Sequence, residues 1–89
     1  MSVEIAYGPQ YQAQVADVLG VPLKDCTRVS QNVYLRPYWQ AWRLPDGRVA
    51  WIINRTFVDA ITIYATYADW VQARRAHDAG YPDPETMRR

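Results

Sequence analysis

One cysteine, one histidine and one lysine are all this 89-residue chain holds of three residue types on which small proteins often depend. With Cys26 alone no intramolecular disulfide can form, which excludes a small secreted scaffold stapled by several bridges. Cys26 and His77 together fall short of the ligand set of any usual zinc site. The four glycines are isolated breakers, so no phosphate-cradling loop is present. The nine carboxylates are scattered singly, without the paired spacing that acid–base chemistry uses. No apolar run approaches the roughly 20 residues that cross a bilayer, and no basic segment followed by an apolar one opens the chain as a signal peptide would. A net charge of +1 gives no field that would draw the whole chain onto nucleic acid or membrane. The chain is therefore expected to be cytoplasmic, non-enzymatic and free of metal and cofactor. His77, beside Asp78 near a helix end, suits the negative end of the helix dipole, and Cys26 reads as a small buried thiol.

What the chain does have is aromatic weight and arginine. Aromatic residues make up 13% of it, which is how a domain this short can bury enough area to fold. Its basic side is nine arginines to the single Lys24, either a bias of composition or a set of planar contact groups. Three of the four tryptophans lie in Tyr38–Asn54, where Leu44-Pro45-Asp46-Gly47-Arg48 has the residue order of a tight turn. Proline presets φ, aspartate bonds back to the backbone and glycine accepts the left-handed conformation. A three-residue loop pairing Leu44 with Arg48 follows. It puts Trp39, Ala41, Val49, Trp51 and Ile53 on a dry inner face, with Arg43 at its end. Tyr38, Gln40, Trp42, Arg48, Ala50, Ile52 and Asn54 share the other face, whose composition tolerates water. A four-residue loop would slip the register and bring Trp42 beside Trp51, so Val49, Trp51 and Ile53 are core in either case.

Around this hairpin, Ser2–Tyr7 alternates like a short strand, Gly8-Pro9 opens a helix carrying Tyr11, Val15, Val18 and Leu19, and Gly20 before Pro22 closes it. Residues 22–35 read either as helix or as strand. We expect a turn or short helix over Leu23–Arg28 and a strand from about Val29 through Val33-Tyr34-Leu35. Phe57–Ala65 is rich in β-branched and aromatic residues and predicts another strand. Thr66-Tyr67-Ala68-Asp69 predicts a helix start, with Tyr67, Trp70, Val71 and Arg74 on one stripe and Gly80 at the end. The expected fold class is α+β: a small antiparallel meander of about three to four strands with an N-terminal and a C-terminal helix packed on it, one domain over residues 1–80. Residues 81–89, interrupted by Pro82 and Pro84, should form an extended or flexible tail.

Two functional expectations follow. Tyr, Trp and Arg are the residue types that anchor interfaces, and Tyr38, Trp42, Arg43 and Arg48 are the candidate surface for another protein. A small domain without a catalytic site suits an adaptor or inhibitor, a class that phages and mobile elements often carry, and an edge strand offers a route to a homodimer. The alternative partner is nucleic acid, by base stacking on the hairpin or by a different route. Gln12–Gln31 resembles a helix-turn-helix, with Val15 and Ala16 in the first helix, Gly20-Val21 at the turn, and Cys26 and Val29 as buried positions. That resemblance implies a second helix placing Thr27, Arg28 and Gln31 in the major groove.

Overall fold

The Pro45-Asp46-Gly47 turn closes as its residues dictate. Gly47 has φ 94°, a conformation that a side chain would strain. Leu44 N–H donates to the Arg48 carbonyl at 2.8 Å, Gly47 N–H to the Leu44 carbonyl at 2.9 Å, and Arg48 N–H to the Asp46 carboxylate at 3.1 Å. Trp39 therefore faces Ile53 and Arg43 faces Val49, the register of the three-residue loop.

The computed structural model describes residues 2–80; the predicted tail over 81–89 lies outside the described residues. In chain order the elements are β1 (Ser2–Ala6), α1 (Tyr11–Leu19), a single 3₁₀ turn (Leu23–Asp25), β2 (Thr27–Asn32), β3 (Trp39–Arg43), β4 (Val49–Asn54), β5 (Val58–Tyr64) and α2 (Tyr67–Gly80). The five strands form one antiparallel sheet in the order β1-β5-β4-β3-β2. β2 to β5 are a meander of adjacent hairpins, and β1 adds itself to the free edge of β5. The sheet thus has five strands, against the three to four expected. The helix ends are local chemistry: Gly20 takes the left-handed conformation (φ 81°) after α1, and the Thr66 hydroxyl accepts the Asp69 N–H at 3.1 Å to cap α2.

Between α1 and β3 two expectations are corrected. The segment implied as a second, groove-reading helix is one 3₁₀ turn and then a strand, so Thr27, Arg28 and Gln31 pair with β3 and form no helix-turn-helix. β2 also ends at Asn32, before Val33-Tyr34-Leu35. The Asn32 amide explains why. Its Oδ1 accepts the N–H groups of Tyr34 and Leu35, both at 3.2 Å, and its Nδ2 donates to the carbonyls of Leu35 at 2.8 Å and Pro37 at 3.3 Å. One side chain gives the loop backbone the partners that a strand would have given.

Each face of the sheet carries one helix. Trp39, Ala41, Val49 and Trp51 pack with Trp70 of α2, which is 0% exposed. The rings of Trp39, Trp51 and Trp70 meet edge to face, with centroids 5.6, 5.9 and 6.1 Å apart. That geometry adds about 0.5–1.5 kcal/mol per pair beyond the area buried. On the opposite face Ile5, Leu44, Ala50, Ile52 and Ile61 pack with Val15 and Leu19 of α1. The second hairpin face, expected to tolerate water, is therefore covered over much of its length: Ala50 and Ile52 are buried and Trp42 is half-buried against the same cluster. Among the described residues no helix is long and apolar enough to cross a membrane.

Candidate functional site at the loop end of the sheet

A helix about 10 Å wide cannot cover a five-strand sheet some 19 Å across at about 4.8 Å per strand. Because α1 packs towards the β1 side, a strip of its face is left open near β3 and the β2–β3 loop. The result is a groove of about 290 Å³, lined by Tyr7, Tyr11 and Gln12 on one side, Leu23, Asn32 and Val33 on another, and Tyr38, Gln40, Ile52, Asn54 and Asp59 along the sheet. Trp42 Nε1–H donates to Gln40 Oε1 at 3.0 Å, which turns the NH₂ end of that amide away from the indole.

Asp59 lies on the β5 side of this groove. It faces inward from β5 opposite Asn54 and is 7% exposed, the one buried charged residue among those described. Tyr7 OH donates to Oδ1 at 2.5 Å, Tyr11 OH donates to Oδ2, and Asn54 Nδ2 donates both to Oδ1 at 3.3 Å and to the Tyr7 hydroxyl. Four elements thus deliver one carboxylate and its donors: the residue after β1, the first residue of α1, the last of β4 and the second of β5. Burial, reinforced by the hydrogen bonds to Asp59 and its charge, pushes both phenols above their ordinary range, Tyr11 further than Tyr7. Among the described residues no ion pair reaches Asp59.

The rim of the groove is aromatic and basic. β2 ends, β3 begins, β4 ends and β5 begins at this end of the sheet, so the loops 33–38 and 55–57 lie side by side; Asn54 N–H donates to the Tyr38 carbonyl at 2.7 Å and Tyr7 N–H to the Phe57 carbonyl at 3.3 Å. Tyr34 is 88% exposed and Phe57 79%, with Tyr7, Val33, Leu35 and Tyr38 also exposed. Arg36, joined to Pro37 by a cis peptide bond, holds its guanidinium 5.7 Å from the centre of the Tyr38 ring. Arg55 is exposed in the neighbouring loop, and neither loop carries an acidic residue.

The four residues chosen from sequence do not form one patch. Tyr38 belongs to this rim. Arg43 lies five positions along the strand, about 17 Å away at 3.4 Å per residue, and on the opposite face, over the ring of Tyr67 at 5.3 Å. Arg48 pairs with Asp46 at 2.7 Å and reaches the Leu19 carbonyl at 3.5 Å, tying the hairpin turn to the end of α1. The Arg48 backbone N–H, assisted by its guanidinium, holds the Asp46 carboxyl below its ordinary range. Trp42 packs inward beneath Arg28, whose guanidinium is 5.9 Å from its ring. Of the residues implied by the helix-turn-helix resemblance, Arg28 therefore stacks on its cross-strand partner, and Thr27 and Gln31 are exposed on the edge strand.

His77 and Cys26 both lie away from this groove. His77 packs edge-on against Trp51 at 5.0 Å, on the α2 face. Cys26 is half-buried, its thiol 3.6 Å from the Pro22 carbonyl and pushed up by burial and by the nearby Asp25 and Asp46. Among the described residues no group of His, Cys, Asp and Glu could hold a metal ion. Comparison with family models, curated proteins and solved structures finds no match.

Proposed function

We propose that this chain is a small non-catalytic protein-binding domain, an adaptor or inhibitor, that docks its partner with the loop end of the sheet. The observation that carries this reading is the exposure of Tyr34 and Phe57 on two neighbouring loops that also present Arg36 and Arg55. Two large rings held in water lower solubility, and their natural use is to be covered. The partner face complementary to them has apolar pockets for the two rings, ringed by carboxylates for the arginines. Non-catalytic fits the groove chemistry as well: its phenols are held neutral, and a phenol with a raised pKa is a poor general base.

Affinity capture with the tagged chain, repeated with Tyr34→Ala and Phe57→Ala, tests the reading. Each variant should keep the parent melting temperature, because neither side chain is buried, and each should lose about thirtyfold in affinity for the captured protein, corresponding to an anchor worth about 2 kcal/mol. Retention of the partner by both variants would sink the proposal. So would capture that is abolished by nuclease and falls steeply with salt, because release of counterions from phosphates marks a nucleic-acid ligand.

A further inference from the structure

The groove behind the rim is of opposite character to the rim itself: one carboxylate, buried to 7% exposure, without an ion-pair partner among the described residues. A carboxylate offers about four lone-pair positions. Tyr7 and Asn54 take two on Oδ1 and Tyr11 takes one on Oδ2, which leaves Oδ2 able to accept again. Hydrogen bonds from phenols and an amide satisfy geometry but do not cancel charge, so the groove concentrates a negative potential within low-dielectric walls. Those walls include aromatic rings, whose faces attract cations, and the neighbouring Gln12 and Gln40 amides are polar without being charged. Burial first, then the hydrogen bonds to Asp59 and its charge, raises the phenols of Tyr7 and Tyr11, so both stay neutral donors to the carboxylate.

We propose that this groove binds an organic cation, the ammonium or guanidinium head of a lysine- or arginine-like chain, with Asp59 as counter-charge and the rings of Tyr7, Tyr11 and Tyr38 as walls. The groove volume, about 290 Å³, lies at the small end of ligand pockets and suits one side chain rather than a cofactor. The cation enters past the basic rim. Arg36 and Arg55 are exposed and screened by water and salt, whereas Asp59 is buried and screened less. Arg36 is a competitor within the chain, because its guanidinium occupies one face of Tyr38. As the side chain of a docked protein, such a cation would give the proposed partner a basic anchor at the centre of an otherwise acidic contact. That placement rests on the protein-binding reading, whereas the cation site itself is testable without any partner.

The probes are n-butylammonium, n-butylguanidinium, the neutral 1-pentanol, and a lysine blocked at its α-amino and carboxyl groups, titrated into the full chain by two-dimensional NMR. The two cations should shift the amide signals of Tyr7, Tyr11, Asn54 and Asp59 with saturation in the millimolar range, while pentanol at equal concentration shifts them at least tenfold less. Equal binding of blocked lysine assigns the site to a side chain; its exclusion, with butylammonium still binding, assigns it to a free amine. Arg36→Ala should tighten the cations severalfold, and Asp59→Asn should abolish their saturable shifts. Should Asp59→Asn fail to fold, the contrast between butylammonium and pentanol on the parent chain decides alone. Equal responses to the charged and neutral probes, or none up to about 50 mM, a range in which a groove selective for organic cations would respond, would mean that Asp59 is only a structural joint and would overturn the inference. Cation binding with intact partner capture by the Tyr34 and Phe57 variants would overturn the docking reading and leave the groove standing.

Discussion

The two faces of the sheet solve the same burial problem with different materials. Under α2, three tryptophans meet edge to face and fill the space between the 14-residue helix and the sheet. Under α1, a nine-residue helix brings only Val15 and Leu19 fully inward, and the face ends in phenols, amides and a carboxylate. Large rings on one side carry enough of the stability that the other side can leave a strip of sheet uncovered. In a chain this short, little surface is buried on folding, so the dense core on one face matters the more where the other is left partly open.

That asymmetry has measurable consequences, the largest on the tryptophan side. Trp51→Ala should cost about 3–5 kcal/mol in chemical denaturation, enough to unfold much of so small a domain, whereas Ile52→Ala, its neighbour on the other face, should cost nearer 2 kcal/mol because its space opens onto the groove. Equal costs would erase the distinction between a dense and a vented face. A smaller effect belongs to the phenols. Tyr11 has a raised pKa, from burial first and then from the hydrogen bond to Asp59 and its charge. An unfolded tyrosine ionises near 10, so the stability contributed by keeping Tyr11 neutral is fully present below about pH 10 and is lost as pH climbs beyond it. Melting temperatures measured between about pH 9 and 12 should fall more steeply for the parent than for Tyr11→Phe, and parallel curves would remove Tyr11 from the linkage. The smallest change is expected at Arg43, exposed over Tyr67 on the α2 face: Arg43→Ala should alter stability by no more than about 0.5 kcal/mol and leave both cores and the groove untouched.

Local chemistry was the legible part of this sequence. The Pro-Asp-Gly turn predicts the hairpin register down to its facing residues, and Gly20 and Thr66 mark helix ends where they occur. The misplaced features depend on what approaches from a distance. Val49–Ile53 is apolar almost without a break, the pattern of a strand covered on both sides, yet reading alternation alone assigns Ala50 and Ile52 to a wet face. Val33-Tyr34-Leu35 have strand composition, but strand propensity is largely the fit of a side chain to a half-buried pleated surface, and Asn32 takes the backbone away from it. Asp59 left one trace, a lone acid inside the β-branched run of β5, and nothing local connects it to Tyr7 or Tyr11, which lie about fifty positions earlier.

β1 has a consequence for the order in which the molecule is assembled. The meander from β2 to β5 closes through neighbouring hairpins, but Ser2 meets Thr62 across 60 residues, the closure with the greatest entropic cost in the sheet. Contacts so distant in sequence are expected to form after the local hairpins. Tyr7 follows β1 directly and Tyr11 begins the helix behind it, so two of the three donors to Asp59 arrive with this last segment. A chain that has built its tryptophan core but not yet seated its first strand has a sheet and no groove. The proposed cation site is therefore complete only once β1 is seated.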